Sequence, residues 1–215
     1  MAEPAGNPFL QVEVKPTFTT PVAVAALRDG AAINQALKPV VLQREQTTPG
    51  KQISNLGGWQ SEDDFPDWSG PAGQQVLGAA MALASRLTRH RNGQAVRVPW
   101  KTTAWANVNR RGHLNDFHAH PGCYWSGTYY VEDGGAAADA ARGGEFEMQD
   151  PRGTGPAMYS PSLVFDLKDG AAVGANMALV PQAGSLFLFP SWLIHGVRPY
   201  LGDGVRISIA FNFSL

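Results

Sequence analysis

His118-Ala-His120 sets two imidazoles two residues apart. On a strand such residues point to the same face, so their ring nitrogens can converge on one metal ion. A third imidazole, His195, lies in Pro-Ser-Trp-Leu-Ile-His-Gly-Val, just beyond the apolar run Leu186–Phe189. An imidazole in so apolar a stretch must be hydrogen-bonded or metal-bound. Eleven residues later, Arg206-Ile-Ser208 falls inside the apolar run Val205–Phe213. Alternation puts Arg206, Ser208, Ala210 and Asn212 on one face and Val205, Ile207, Ile209 and Phe211 on the other. A buried guanidinium needs an anionic partner, and no acidic residue lies near in sequence on that face. The partner is then a distant Asp or Glu, or a bound carboxylate.

Short elements must position these groups. Asp29–Gln43 reads as a helix with Leu37, Val40 and Val41 as buried contacts. Ser69-Gly-Pro-Ala opens a second helix, running to about Arg89, with Val76, Ala79, Ala80, Leu83 and Leu87 on its apolar face. Phe9–Phe18 alternates enough for a strand. After Val96 the chain breaks into β-rich runs separated by Gly, Pro and Asp. These are Val98–Asn109, Tyr124–Val131, Glu145–Gln149, Leu163–Leu167, Asn176–Val180, Leu186–Phe189, Ile194–Pro199 and Val205–Phe213. Gly134–Gly144 reads as a flexible loop. The pattern predicts a mainly β barrel or sandwich over 96–215, with a helical, mixed part over 1–95 packed on it as one domain. The 24 Gly and 16 Pro of the 215 residues suit the corners of such a barrel.

Composition narrows the partners. Lys plus Arg is 17 and Asp plus Glu is 18, so no overall basic field favours nucleic acid or an anionic membrane. No apolar run is long enough to span a bilayer. The opening MAEPAGNPFL lacks the basic and apolar regions of a secretory leader, and Cys123 has no second cysteine to pair with. A cytoplasmic location is the expectation. Of the other two histidines, His90 and His113 read as surface groups.

These motifs together resemble the non-haem Fe(II)- and 2-oxoglutarate-dependent oxygenases, in their bacterial, prolyl-hydroxylase-like branch. The resemblance rests on His118-x-His120, Glu145 in Gly-Gly-Glu-Phe, Gly184-Ser-Leu-Phe-Leu-Phe-Pro190, His195 and Arg206-x-Ser208. It extends to Trp105-Ala-Asn-Val-Asn109, Ser126-Gly-x-Tyr-Tyr-Val131 and Arg206-Ile-Ser-Ile-Ala-Phe-Asn212, with Asn55-Leu-Gly-Gly-Trp-Gln-Ser61 as a candidate upstream part. It implies a double-stranded β-helix, the jelly-roll or cupin-like barrel, braced by N-terminal helices. It implies that His118 and His195 carry iron and that Arg206 binds the distal carboxylate of 2-oxoglutarate, with succinate and CO2 released as an unidentified substrate is hydroxylated.

The chain departs from the family at one ligand. Where the family has a carboxylate, this sequence has His120. His118, His120 and His195 are the expected metal ligands, with Asp116 as the alternative carboxylate. Three neutral imidazoles leave the site one positive charge richer, which favours a dianionic co-substrate and shifts metal preference. Ser208, Tyr130 and Tyr124 are further candidates for the co-substrate pocket, and Asn107, Asn109 and Trp125 for substrate. The expected partner is a small molecule or a peptide, and a homodimer is one state open to the chain. Two other readings stay open: a three-His metal oxygenase that needs no 2-oxoglutarate, and a non-catalytic barrel that binds metal or a small acid.

Overall fold

The computed structural model describes residues 11, 13, 15, 17–153, 158, 160, 162, 163 and 176–215. Most of the chain's tight β segments form two antiparallel sheets. In chain order the elements are β1 (Ala23–Ala26), α1 (Gly30–Thr47), β2 (Asn55–Leu56), β3 (Trp59–Gln60), α2 (Phe65–Trp68) and α3 (Gly70–Arg86). There follow β4 (Lys101–Asn109), β5 (Leu114–His118), β6 (Trp125–Asp133), β7 (Phe146–Met148), β8 (Met177–Leu179), β9 (Ser185–Pro190), β10 (His195–Val197) and β11 (Arg206–Ser214). One sheet runs β1-β9-β6-β11-β4-β3 and the other β2-β5-β10-β7-β8. Of the expected strand Phe9–Phe18, residues 11, 13, 15, 17 and 18 are described and none is in a strand, while Leu163–Leu167 lies outside the described residues except for Leu163.

The larger sheet separates two cores because strand residues alternate between its faces. Its outer face carries Ala104, Ala106 and Val108 of β4, Ile207, Ile209, Phe211 and Phe213 of β11, and Tyr129 of β6. Against this face pack Ile33, Leu37 and Val41 of α1, spaced by four, with Val76, Leu77, Ala80 and Ala84 of α3. The buried stripe of α3 is rotated from the expected one. Leu87 lies beyond the end of the helix and is exposed, because the helix stops at Arg86. The inner face meets the smaller sheet in a second cluster of Tyr130, Phe146, Met148, Phe187, Phe189 and Leu193.

Two close approaches require glycine. A Cβ on Gly127 of β6 would lie 2.5 Å from the Phe187 carbonyl oxygen and 2.5 Å from the Phe211 ring. Gly127→Ala is expected to cost about 2–4 kcal/mol, through overpacking against a backbone that cannot retreat. Urea denaturation of the variant checks it; a midpoint equal to that of the parent protein would contradict the packing. The second is Gly196 of β10. Its neighbours His195 and Val197 pair with His118 and Asn115 of β5, so Asp116 and Phe117 together face one residue. This β-bulge brings backbone so close that a Cβ on Gly196 would lie 2.9 Å from the Asn115 oxygen.

Candidate metal centre and carboxylate pocket

The three imidazoles meet where the two sheets open. His118 ends β5, His195 begins β10 opposite it, and His120 follows in a turn closed by Cys123 N–H donating to the His120 carbonyl at 3.3 Å. His120 therefore sits just past the strand, not on it. Its N–H donates to the Ser191 carbonyl at 2.9 Å, which ties the turn to the segment leading into β10. Ligand nitrogens of His118, His120 and His195 all lie within 4.8 Å of one another. Among the described residues these three form the group of side chains able to hold a metal ion.

Asp116 is not in that group. Strict alternation would place it on the face of His118, but the bulge adds one residue between Asn115 and His118. Asn115 and His118 both line the cavity as a result, and Asp116 is exposed outside it. The Asp116 backbone carbonyl does reach the site, accepting from His118 Nδ1 at 2.7 Å.

Packing keeps the imidazoles neutral. His195 is wedged between the Phe146 ring, stacked at 5.2 Å, and the Phe189 ring at 4.6 Å. Burial first, then the neighbouring His118, push its pKa from the ordinary 6.5 down to about 3. Burial, and then His118, push His120 down to about 4, and burial lowers His118 as well. A neutral imidazole offers a lone pair without first losing a proton, which is what a metal requires.

These shifts fix a pH dependence for the metal-free protein. His118, His120 and His195 each have a folded pKa below the unfolded value of 6.5. Below pH 6.5 the unfolded chain takes up protons that the folded one refuses. Stability present above pH 6.5 is therefore lost as the pH falls toward 3–4. The urea midpoint is expected to drop across this window, and His195→Phe to flatten the drop. A midpoint independent of pH between 6.5 and 4 would contradict it.

Arg206 reaches the same cavity from β11, with Ser208 and Ala210 beside it. Its side chain is almost wholly buried at 1% exposure, and its Nε has no hydrogen-bond partner among the described residues. The guanidinium lies over the Tyr130 ring at 5.0 Å. The Tyr130 hydroxyl is also buried without a partner, and burial raises its pKa against the opposing pull of Arg206. A fixed cation and a hydroxyl donor left unpaired in one cavity suit an incoming carboxylate. The donor set therefore fits both groups: neutral nitrogens for a metal, and a guanidinium fork for an acid.

Other candidates are placed as follows. Asn107 lines the cavity and its Oδ1 is unpartnered. Asn109 is buried near Gly58, away from the cavity lining. Trp125 departs from expectation. Parity turns it to the outer core, where its indole N–H donates to Thr88 Oγ1 at 2.9 Å. Tyr124 departs too. It precedes β6, is about half exposed, and rests on Trp100 at 5.7 Å. The cavity is completed by Trp105, Thr128, Ser54 and Asn115. Ser54 comes from a distant loop and Asn115 from the bulge, so periodicity could not find them; Trp105 and Thr128 do follow strand parity. His90 is exposed, and His113 Nδ1 accepts from the Arg110 N–H at 3.0 Å.

Residues 103–212 match the family described as "Putative 2OG-Fe(II) oxygenase", a span that holds all three histidines and Arg206.

The chain belongs to the 2OG-Fe(II) oxygenases.

Solved structures agree on the fold. A Pseudomonas putida prolyl-4-hydroxylase superimposes with a TM-score of 0.62 at 19% identity, over 91% of this chain and 93% of that one. A Trichoplax adhaerens prolyl hydroxylase, solved with a hypoxia inducible factor peptide fragment, gives 0.65 at 14% identity over 91% and 84%. HygX from Streptomyces hygroscopicus, solved with nickel and 2-oxoglutarate, gives 0.60 at 13% identity over 91% and 83%. No curated protein matches the chain in sequence. The fold of this oxygenase is thus the mainly β jelly roll expected from its sequence, with helices on one sheet. Among its described residues no helix is long and apolar enough to cross a membrane.

Proposed function

We propose that this oxygenase is an Fe(II)- and 2-oxoglutarate-dependent hydroxylase of a small molecule or a peptide, releasing succinate and CO2. His118, His120 and His195 hold the iron. Arg206, with Ser208 and Tyr130, holds the distal carboxylate of 2-oxoglutarate. The observation that carries the reading is Arg206: a buried guanidinium with a free Nε, sharing one cavity with the three imidazoles. Iron bound there would supply the family's chemistry, in which oxidative decarboxylation of 2-oxoglutarate drives oxygen into a substrate C–H bond.

The chain's own residues account for the rest. Phe146 and Phe189 hold His195 in place and keep water from its ring. Arg206 and Tyr130 orient the co-substrate by its far end, and the fork geometry of arginine favours a carboxylate over a point anion. Asn107, Trp105 and Asn115 line the remaining wall, where substrate meets the site. The peptide in the Trichoplax neighbour's structure supports a peptide as one substrate class. We take residues 1–95 and 96–215 to act as one domain in the cytoplasm.

The test is turnover with purified protein. Succinate should form from 2-oxoglutarate only when Fe(II) and oxygen are both present. Oxygen consumption that ignores 2-oxoglutarate would favour the three-His oxygenase reading instead. Metal binding without oxygen consumption under any of these conditions would overturn the proposal.

A further inference from the structure

His120 differs from its two partners in what holds its far nitrogen. Nδ1 of His118 and of His195 each faces a backbone carbonyl, at 2.7 Å and 2.8 Å. A carbonyl only accepts, so each Nδ1 carries the proton and each Nε2 keeps its lone pair. His120 Nδ1 instead faces the side-chain amide of Asn212, at 3.4 Å. An amide has two faces: its oxygen accepts and its NH2 donates. Asn212 is buried on β11, and its other end meets Ser126 Oγ of β6 at 2.7 Å. A hydroxyl can donate or accept, so Ser126 can satisfy either orientation of the amide.

The two orientations are not equivalent for a metal. With Nδ2 turned to His120 and Oδ1 accepting from Ser126, His120 Nδ1 is an acceptor. The ring proton then sits on Nε2, which has no lone pair to give. With the amide reversed, Oδ1 accepts from the His120 Nδ1–H, Nε2 becomes a ligand, and Ser126 accepts from Nδ2. A carboxylate at position 120 would need no such partner; a histidine there does.

We propose that Asn212, held by Ser126, is a positioning residue that sets the tautomer of His120, and that metal binding reverses its amide. The proposal rests on reading His118, His120 and His195 as the metal site. It also gives Ser126 and Asn212 a shared task across the β6–β11 pair, where they lie directly opposite in register.

The test uses Zn(II) and Co(II) affinity, measured against a competing chromophoric chelator, and 15N spectra of histidine-labelled protein with and without Zn(II). Loss of an outer partner of a metal-bound imidazole typically costs 10–100-fold in affinity. Asn212→Leu should show a loss of about that size. Asn212→Asp offers only acceptors, so it should fix the Nδ1–H form even without metal and bind at least as tightly as the parent. In the parent protein, the His120 proton should move from Nε2 to Nδ1 when Zn(II) is added. Metal coordination alone moves that proton, so the readout specific to Asn212 is the metal-free spectrum: Nε2–H in the parent and Nδ1–H in Asn212→Asp, a difference that a purely structural role would not produce. Asn212→Leu binding as tightly as the parent, Asn212→Asp no tighter than Asn212→Leu, or an unchanged His120 tautomer would each overturn the proposal. If Asn212→Leu fails to fold, the spectra of the parent and Asn212→Asp decide it. His118→Ala separates the two readings: if it leaves Zn(II) affinity intact, the metal site itself is misassigned.

Discussion

Replacing Arg206 with Met is expected to raise the KM for 2-oxoglutarate by about 10²- to 10³-fold while making the ligand-free protein more stable. The two effects share one cause. A guanidinium never releases its proton in a folded protein, so Arg206 remains charged in a cavity that supplies no anion. It is 1% exposed, and its Nε is unpartnered. The Tyr130 face offsets part of the desolvation. Truncating one partner of a buried charge pair costs about 2–5 kcal/mol, and each 1.4 kcal/mol is tenfold in affinity. An apolar side chain of similar volume leaves no unpaired charge, and such exchanges often stabilise by about 1–4 kcal/mol. Co-substrate titration of turnover and thermal unfolding without ligand measure the two halves. An unchanged KM removes Arg206 from the carboxylate pocket, and a lower melting temperature shows that its charge is satisfied in the empty protein.

Replacing His120 with Ala is expected to weaken metal binding by about a hundredfold or more, and replacing Asp116 with Ala to change it by less than about twofold. Four-ligand structural zinc sites gain about 10–16 kcal/mol, so one ligand accounts for roughly 3 kcal/mol, or about two powers of ten. Asp116 contributes a backbone carbonyl to His118, and that survives the substitution. Its carboxylate lies outside the group of converging ligands. Equilibrium dialysis with Co(II), using both variants, measures the contrast. The reverse order of effects would return the carboxylate to the metal site.

What the sequence made legible follows from regular alternation. On β11 the ladder is unbroken against β4 from Arg206 to Ser214, so the shared face of Arg206, Ser208, Ala210 and Asn212 could be read directly. The apolar run before His195 likewise foretold a buried imidazole. Alternation failed where backbone departs from it. The bulge in β5 carried Asp116 out and Asn115 in; nothing in β5 itself announces it, and the one sign, Gly196, lies on the partner strand. Trp125 was misread although alternation held there: it lies an odd number of residues from Tyr130, so parity puts the two on opposite faces, and Trp125 packs outward against Thr88, just past the end of α3. Tyr124 was counted with β6 although it precedes the strand. The link from Asn212 to His120 spans 92 residues, and only the folded register brings the two together.

The two-against-one pairing at Gly196 separates spelling from counting. The side chains of Asp116 and Phe117 are both exposed, so either residue can be exchanged for another without touching the cavity. Their number follows from parity. Asn115 and His118 stand three apart, and both face the cavity only because the bulge absorbs one residue. Removing Asp116 or Phe117 would leave them two apart on a regular ladder, where both still look inward. The wall beside the three histidines is therefore protected in this segment against substitution and against the loss of one residue. Related chains can set these two positions two apart or three apart, with a bulge needed only at three.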